Sequence, residues 1–394
     1  MELPVSTAVI VILVIFFTAL VVQLFYYLYF YLAVHGKRTK PAEEGQPEAK
    51  PSVSVIICAR NEAENLEKYL PLVLEQNYPD FEVIVVNDCP EDDSEYVLKR
   101  MQEKYERLRV TRIVKDEKFS HGKKLALTVG IKAAKNEWLL HIDADCWPDS
   151  ADWIATMASH FNEESRALVL GYGGFAAGRS ILNNLIRFDA AFIAMQYLSF
   201  ALRGVPYMGV GRNLAYRKSV YDANKGFSSH HHLRSGDDDL FVNQVANKSN
   251  TGVEFRKESH TRTEAKKHFR DWTAQKKRHL TTGSKYRLNH RFLITGEPFS
   301  RMVFYALFVV LLLLKVDPRI LIPAFLLRTA TQLIVFNLDF RHLNEKYLLL
   351  SSLVFDILLP FYYLGLIISN AFNRKGAQWK SGQIYPKKRS RIIS

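Results

Sequence analysis

The chain has 394 residues, of which 48% are hydrophobic and 24% are charged. This length is enough for one large domain with a membrane part, or for two ordinary domains. Lysine and arginine number 53 against 40 acidic residues, so the formal net charge is +13. We expect no nucleic-acid partner for this basic chain, because it has neither an aromatic and basic stacking platform nor a helix-turn-helix pattern.

Residues 5–34 form an apolar segment without a charged side chain. About 20 apolar residues suffice to cross a bilayer, so the segment is long enough to span one. A cleaved signal peptide is the alternative, but it would have a shorter apolar core, a basic start and a small-residue cleavage site. We therefore expect an uncleaved transmembrane anchor at 1–35 and a charged linker at 36–51. Aromatic residues favour the membrane interface, and four tyrosines stand near the end of the segment: Tyr26, Tyr27, Tyr29 and Tyr31.

Three further apolar segments, at about 302–314, 320–337 and 347–370, predict C-terminal membrane helices within 299–371 and a basic tail at 372–394. Basic residues follow the anchor and stand in the tail, which favours a cytoplasmic location for both and for the domain between them. Three crossings after that domain would put the tail outside. We therefore expect the shortest segment, 302–314, to lie along the membrane surface without crossing.

The middle of the chain alternates apolar strands with amphipathic helices, which predicts an α/β domain at 52–290 with a mainly parallel sheet covered on both faces. Ligands of such sheets bind beyond the carboxyl ends of the strands. Arg187 and Asp189 interrupt an apolar stretch at 180–203, where we expect a buried or membrane-surface helix. The predicted strands are 52–58, 81–86, 109–114 and 137–142, and the helices between them include 93–106 and 122–134.

Polar residues follow three of these strands, where the crevice is expected. They occupy 59–62, 87–88 and 143–145. Asp143 and Asp145 are separated by one residue, and on extended backbone two such carboxylates point to the same side. Hard oxygen ligands of this kind suit Mg²⁺ or Mn²⁺, which can stabilise the charge on a departing diphosphate. An acidic turn is the alternative, but the position of the pair after an apolar strand favours a metal site.

Three other clusters are candidates for chemistry. Residues 121–124 (HGKK) open a helix whose N-terminus can bind phosphate, unless they are only a solvated basic cap. Residues 237–239 are three successive aspartates at the start of another helix. Neighbouring carboxylates raise one another's pKa, which suits a general base, whereas helix capping needs only one acid. The basic stretch 264–280 contains QKKRH at 275–279, which can meet a diphosphate or lipid headgroups.

These motifs, in this order, resemble the inverting family 2 glycosyltransferases of the GT-A fold. The resemblance covers about residues 50–285, and the block 121–148 is its most specific part. The flanking apolar segments also suit membrane-bound members of that family. The matching pieces are SVIICARNEAENLEKYL, FEVIVVNDC, HGKKLALTVGIKAAKNEWLLHIDADCWP, GRNLAYRKSVY, GDDDLF and QKKRH.

The resemblance implies roles for individual residues. Glu62 and Asp88 would contact the nucleoside, Lys124 would lie near the diphosphate, and Asp143 with Asp145 would hold the metal. The full set implied at the donor is Arg60, Glu62, Asp88, Lys124, Asp143, Gln275 and Arg278.

The base that deprotonates the acceptor is implied by the same resemblance. The family pattern ED-x-DL fits best if Asp237 is the base, because Asp239-Leu240 then match its last two residues. Asp238 is the second choice. QKKRH resembles the family motif QxxRW, with His279 in place of the tryptophan.

The resemblance therefore implies a membrane-bound, metal-dependent inverting enzyme that transfers a sugar from a nucleotide-sugar, with UDP-sugars the expected donors. We expect the acceptor to be a lipid-linked or other membrane-embedded glycan. The alternatives are a processive polysaccharide synthase, a nucleotidyltransferase and an inactive membrane scaffold. About four apolar segments are few for a polymer channel, so we expect the addition of one or a few sugars. The first strand ends in CARNE rather than a glycine-rich loop, which disfavours a nucleotidyltransferase.

Overall fold

The computed structural model describes residues 7–36, 50–114, 122–233 and 235–372. Most of the predicted linker, the tail beyond 372 and His121 of the predicted phosphate site lie outside the described residues.

Ten strands form two sheets in the described part of the chain. They are β1 (Val53–Ala59), β2 (Phe81–Asp88), β3 (Leu108–Ile113), β4 (Trp138–His141), β5 (Cys146–Pro148), β6 (Leu168–Leu170), β7 (Gly173–Phe175), β8 (Leu214–Arg217), β9 (Thr251–Val253) and β10 (Thr261–Thr263).

The helices lie before, between and after these strands. They are α1 (Thr7–Phe25), α2 (Ala33–Gly36), α3 (Ala63–Leu74), α4 (Ser94–Lys104), α5 (Lys123–Ala133), α6 (Trp153–Ala158), α7 (Ile181–Leu202), α8 (Lys218–Ala223), α9 (Asp239–Val245), α10 (Phe269–Gly283), α11 (Leu288–Leu313), α12 (Pro318–His342) and α13 (Leu349–Phe372).

The main sheet has seven strands in the order β3-β2-β1-β4-β8-β6-β9. The first four strands of that order are parallel, which confirms the predicted α/β architecture. The other half is mixed, because β8 runs antiparallel to both β4 and β6. A smaller sheet, β5-β10-β7, lies beside the end of β4. The parallel half therefore brings the carboxyl ends of β1, β2 and β4 to one edge.

Successive side chains of the central strands point to opposite faces of the main sheet. Both faces are buried. One face packs against α3, α4 and α6, and the opposite face packs against α5 and α7. On the first face lie Val55, Ile57, Val83, Val85 and Leu140, and on the second lie Ile56, Ile84, Val86 and Leu139.

Among the described residues, five helical segments are long and apolar enough to cross a membrane. One of them, α7, is 78% buried inside the protein over its apolar window, so it is a core helix, as its sequence suggested. Another, α11, runs for 26 residues, so the expectation of a short segment at 302–314 is wrong. The helical region also begins at Leu288 rather than 299. Polar residues lower the hydropathy of the first half of α11, so the sequence does not show where this helix begins. These residues are buried against other parts of the protein: His290, Glu297, Ser300 and Arg301.

The tyrosines at the end of the first apolar segment lie mostly inside the protein. The α1 helix continues through a π-helical turn, Tyr26–Tyr31, into α2. Only Tyr29 of the four tyrosines is largely exposed. Tyr27 lies against Arg328, and Tyr31 packs on Phe192 of α7. These aromatic residues therefore bind the anchor to the rest of the chain and do not form an interfacial belt.

An ionic cluster joins four helices in the interior of the bundle. Asp356 of α13 accepts hydrogen bonds of 2.7 Å from Arg301 of α11 and from Arg328 of α12. Arg301 also pairs with Glu297, and Gln23 of α1 accepts a bond from Arg328. All five residues are buried. A buried charge is stable only when it is paired and hydrogen-bonded, so each partner depends on the others.

The loop between α12 and α13 inserts into the α/β domain through Glu345. Its carboxylate, fully buried, is bound by Arg187 of α7, by Arg262 of β10 and by the hydroxyl of Tyr172. Arg262 in turn pairs with Asp149 at 2.8 Å. The C-terminal helices are therefore attached to the domain by buried ion pairs.

We expect Asp356→Asn to lower the free energy of unfolding by about 3–5 kcal/mol, because it leaves two buried arginines with a neutral partner. The measurement is reversible thermal or denaturant unfolding of the detergent-solubilised chain. The matched control is Asp317→Asn, the same change at a carboxylate whose partner Arg319 is exposed. That variant should leave the free energy of unfolding close to that of wild type, because water screens an exposed ion pair. Equal losses in the two variants would contradict the role given to the cluster.

Candidate functional site

The loops after β1 and β2 are held together at the carboxyl edge of the sheet. Arg60 lies 3.8 Å from the carboxylate of Asp88. Asn61 has a positive φ of 56°, and its side-chain oxygen accepts a 2.7 Å bond from the backbone N–H of Glu91. The backbone N–H of Ala63 donates to Asp92. The predicted donor residues of these two segments are thus neighbours in space.

Glu62 stands in the same loop and faces the aspartates that follow β4. Burial raises the pKa of Glu62, and the negative charge of Asp145 adds to this shift, against a hydrogen bond from Asn65 that lowers it. The edge of the sheet therefore gathers several carboxylates that destabilise one another's ionised forms.

The segment 143–145 forms a turn and not the extended strand that the sequence led us to expect. The backbone N–H of Cys146 donates to the carbonyl oxygen of Asp143 at 3.0 Å, which closes the turn. Asp143 and Asp145 still lie together: ligand atoms of these residues and of Cys146 are all within 4.8 Å of one another. The turn arises because the chain leaves β4 and enters β5 after only four residues.

Lys123, at the start of α5, bridges two acids from distant parts of the chain. Its ammonium nitrogen lies 2.6 Å from Asp143 and 3.3 Å from Asp237. Burial alone would lower the pKa of Lys123, but the two carboxylates raise it well above its ordinary value. Burial would likewise raise the pKa of Asp143, and Lys123 reverses the shift and lowers it. The lysine is therefore a fixed cation and Asp143 a fixed anion.

Lys124 does not face this group, although the resemblance implied a place near the diphosphate. Its three ammonium hydrogens go to the carbonyl oxygens of His230, Leu233 and Ser235, at 2.7, 2.9 and 2.8 Å. Successive helical residues point about 100° apart, so only one of the two lysines can reach Asp143. The sequence shows two adjacent lysines but does not indicate which of them reaches Asp143.

The three successive aspartates have different surroundings. Asp238 accepts 2.8 Å bonds from the backbone N–H groups of Gly211 and Asp239, so it caps α9 and holds a neighbouring loop. Asp239 is bound by the hydroxyls of Thr282 and Tyr286. Asp237 contacts Lys123 in a cavity that Asp143, His141 and also Asp238 line. The three acids thus differ in their partners: Asp237 faces the lysine, whereas Asp238 and Asp239 are engaged by hydrogen bonds that fix the fold around it.

Burial raises the pKa of Asp238 to about 7, and the charges of Asp237 and Asp239 contribute to the shift. The mutual effect expected from three adjacent acids is therefore present. It falls on a residue whose two oxygens already accept backbone hydrogen bonds.

Helix α10 presents the QKKRH motif with its two lysines directed into the protein. Lys276 pairs with the buried Asp189 of α7, and Lys277 donates to Ser369 of α13 at 2.9 Å. Gln275, Arg278 and His279 share the other face, because residues three and four apart are neighbours on a helix. Burial and the nearby cations Lys276 and Arg278 lower the pKa of His279 to about 3.

Arg212 is a site residue that sequence reasoning left without a role. It precedes β8, donates to the carbonyl oxygen of Gly173 at 2.7 Å and helps to lower the pKa of Asp143. The one indication in the sequence was that Arg212 lies in GRNLAYRKSVY, a segment that resembles the family as a whole and did not single out this residue.

Known proteins with similar sequences are glycosyltransferases. Residues 54–224 match the model of the family described as "Glycosyl transferase family 2", a range that contains Asp143 but ends before Asp237. The chain is 33% identical over 138 residues to "Glycosyltransferase AglE" of Haloferax volcanii, covering 33% of this chain and 44% of the relative. It is 26% identical over 187 residues to "Probable glycosyltransferase YdaM" of Bacillus subtilis, covering 45% and 43%. The chain therefore spans less than half the length of these relatives.

A solved structure shares the fold over nearly the whole chain. The mannosyltransferase PcManGT of Pyrobaculum calidifontis, in complex with GDP-Man and Mn²⁺, superposes with a TM-score of 0.55 at 18% identity, covering 89% of this chain and 97% of that one. The α/β domain thus has the GT-A fold, and residues 54–224 within it match the family 2 glycosyltransferases.

We expect Lys124→Met to free the loop at 228–236, because the substitution removes three hydrogen bonds from a charged donor. Each such bond contributes about 1.5–3 kcal/mol, so amide hydrogen exchange in this loop should accelerate at least tenfold. Lys132→Met, at an exposed lysine of the same helix, is the matched control and should leave exchange unchanged. Unchanged exchange in Lys124→Met would show that the lysine does not hold the loop.

Proposed function

We propose that the protein is a membrane-bound inverting glycosyltransferase in which Asp237 deprotonates the acceptor and Asp143 with Asp145 forms the metal site at the donor. One observation carries this proposal: Lys123 holds Asp143 and Asp237 in a single cavity at the carboxyl edge of the sheet. The donor and the acceptor of a direct displacement must meet at one point. A metal-site acid and a base joined through one lysine satisfy that requirement.

The donor site extends along the edge of the sheet. Arg60, Glu62 and Asp88 line the part formed by β1 and β2, which suits the polar groups of a nucleoside. Asp143 and Asp145 offer carboxylate oxygens, which fit Mg²⁺ or Mn²⁺ better than the buried thiol of Cys146 does. When bound, the cation neutralises negative charge on the departing diphosphate. The Mn²⁺ and GDP-Man in the structurally similar mannosyltransferase support this assignment.

Asp237 accepts the proton of the acceptor hydroxyl during attack on the anomeric carbon, which gives inversion in a single displacement. Its neighbours favour this choice over Asp238, whose oxygens are both engaged by backbone N–H groups. Lys123 lies 3.3 Å from Asp237 and orients it towards the cavity. Gln275, Arg278 and His279 share one face of α10, and in this proposal the guanidinium of Arg278 binds phosphate oxygens of the donor.

The acceptor in this proposal is lipid-linked, and the α/β domain is cytoplasmic. The supporting feature is α10, which carries the QKKRH residues and packs on α13, one of the apolar C-terminal helices. A sugar carried by a membrane lipid would reach Asp237 from this side.

The activity is tested by incubating the purified chain with UDP- and GDP-sugars, Mn²⁺ and a lipid extract. We expect release of the nucleoside diphosphate with one donor and one or a few sugars on the lipid product. Pyrophosphate release would indicate a nucleotidyltransferase, and long polymer would indicate a processive synthase. An inactive scaffold would give no nucleotide product with any donor.

We expect Asp145→Asn to lose transfer by at least a hundredfold, as wild type should in the presence of a chelator, while its melting temperature is preserved. The reason is that the site lies in an open turn and not in a core. Asp222→Asn, at an exposed acid of α8, is the matched control and should keep full activity. Full activity of Asp145→Asn, or of wild type with chelator, would refute the metal site.

We expect Asp237→Asn to reduce transfer by about 10²–10⁴-fold, the usual contribution of a general base. Its affinity for the donor nucleotide, measured by calorimetry, should stay close to that of wild type. If Asp237→Asn is active while Asp238→Asn folds and is dead, the base is Asp238 and the assignment is off by one residue.

A further inference from the structure

The part of the bundle farthest from the α/β domain contains only three helices within the described chain. An apolar cluster there joins α1, α11 and α12, with Phe16 stacked on Phe304 at a ring distance of 4.9 Å. Leu311 of α11 and Leu321 of α12 are fully buried in it. No described residue of α13 belongs to this cluster. The buried residues of α13, such as Phe355 and Leu359, belong instead to the core of the domain.

Helix α13 stays against the α/β domain along its length. Its start follows the loop that Glu345 anchors in the domain. In its middle, Tyr363 donates to Asp189 of α7 at 2.6 Å, and Tyr362 stacks on Trp272 of α10 at 5.2 Å. Near its end, Ser369 accepts a bond from Lys277 of α10. The contacts on the helix extend from Phe355, whose ring lies 5.6 Å from that of Phe188 in α7, to Ser369, which is about 21 Å at a rise of about 1.5 Å per residue. The helix axis therefore runs along the domain surface.

Helices α11 and α12 behave differently, because they leave the domain and return to it. His290 near the start of α11 contacts Asn243 of the domain at 2.9 Å. His342 at the end of α12 lies with its ring 5.8 Å from that of Phe255. The turn between the two helices, 314–317, is at the far end. Helices of 26 and 25 residues are about 38 Å long, which is enough to cross a bilayer.

The outer face of α13 is apolar from end to end, and water is an unfavourable neighbour for such a surface. It continues the exposed apolar surface of α1, α11 and α12. The half-exposed Phe269 at the start of α10 lies with its ring 5.7 Å from that of Tyr362 in α13, and exposed Lys267 and Arg270 are close to it in the sequence. Basic residues beside an apolar face match anionic lipid headgroups. The exposed residues of the face are Leu350, Leu353, Val354, Leu358, Phe361, Leu364, Ile367 and Ile368.

We propose that α13 lies in the plane of the membrane, with this face in the acyl chains of the leaflet next to the α/β domain, while α1, α11 and α12 cross. The chain then crosses the membrane three times, so its two ends lie on opposite sides. The basic tail stays on the side of the domain, as its charge favours. The segment that does not cross is α13 and not 302–314. This arrangement lays α10 and its QKKRH motif over the lipid surface.

The side of the membrane on which the C-terminus lies is tested with single cysteines and a membrane-impermeant maleimide, on sealed vesicles of both orientations. Cys58, Cys89 and Cys146 are buried or half-buried, so the unsubstituted chain is the reference. We expect Ser394→Cys to react from the same side as Lys99→Cys, on the domain surface, and Lys315→Cys to react from the opposite side. Reaction of Ser394→Cys from the side of Lys315→Cys would overturn the proposal.

The depth of α13 is tested with spin labels at Leu350→Cys, Phe361→Cys and Ile368→Cys, which share one helix face. In vesicles containing anionic lipid, oxygen and a water-soluble nickel complex report the depth of each label. We expect three equal, shallow depths. A crossing helix would instead spread the first and last labels by about 27 Å along the membrane normal. Such a gradient would refute the in-plane helix whether or not the chain transfers sugars.

Discussion

Electrostatic repulsion among carboxylates is the constraint on which the arrangement of the site depends. Glu62, Asp143, Asp145 and Asp237 lie at one edge of the sheet, and carboxylates gathered this closely repel one another unless a cation lies between them. Lys123 is the cation that contacts two of them, and it joins a turn after β4 to the start of α9. Because it lies in the first turn of α5, its position is fixed by the packing of that helix on the sheet. The geometry of the cavity therefore depends on the core beneath it.

The sequence predicts the parallel half of the fold well, because long apolar strands and amphipathic helices have clear periods. It also locates the site, since the carboxyl ends of β1, β2 and β4 must share one edge. The strands β5 to β10 have only three or four residues and leave no periodic signal. The turn at 143–145 and the choice of Lys123 over Lys124 depend on local backbone direction. The different surroundings of Asp237 and Asp238 depend on tertiary contacts, which one sequence does not display.

Hydropathy misjudges the membrane helices for a related reason. The first half of α11 contains charged and polar residues, yet they are satisfied by other helices: Glu297 and Arg301 pair with each other, and Arg301 reaches Asp356. Conversely, α13 is apolar enough to cross, although in our proposal its contacts with α7 and α10 keep it beside the domain. Hydropathy averaged along the sequence reflects composition alone, so it does not show which partners a polar side chain contacts in the folded protein.

The insertion of Glu345 has a practical meaning for the boundaries of the catalytic unit. The carboxylate comes from a loop 55 residues beyond the predicted domain end at 290, yet it neutralises Arg187 and Arg262 in the interior of the domain. A soluble fragment cut before α11 would retain both guanidinium groups and lose their shared counter-ion. The smallest autonomous folding unit therefore includes the hairpin of α11 and α12, and the enzyme and its membrane part are one cooperative structure.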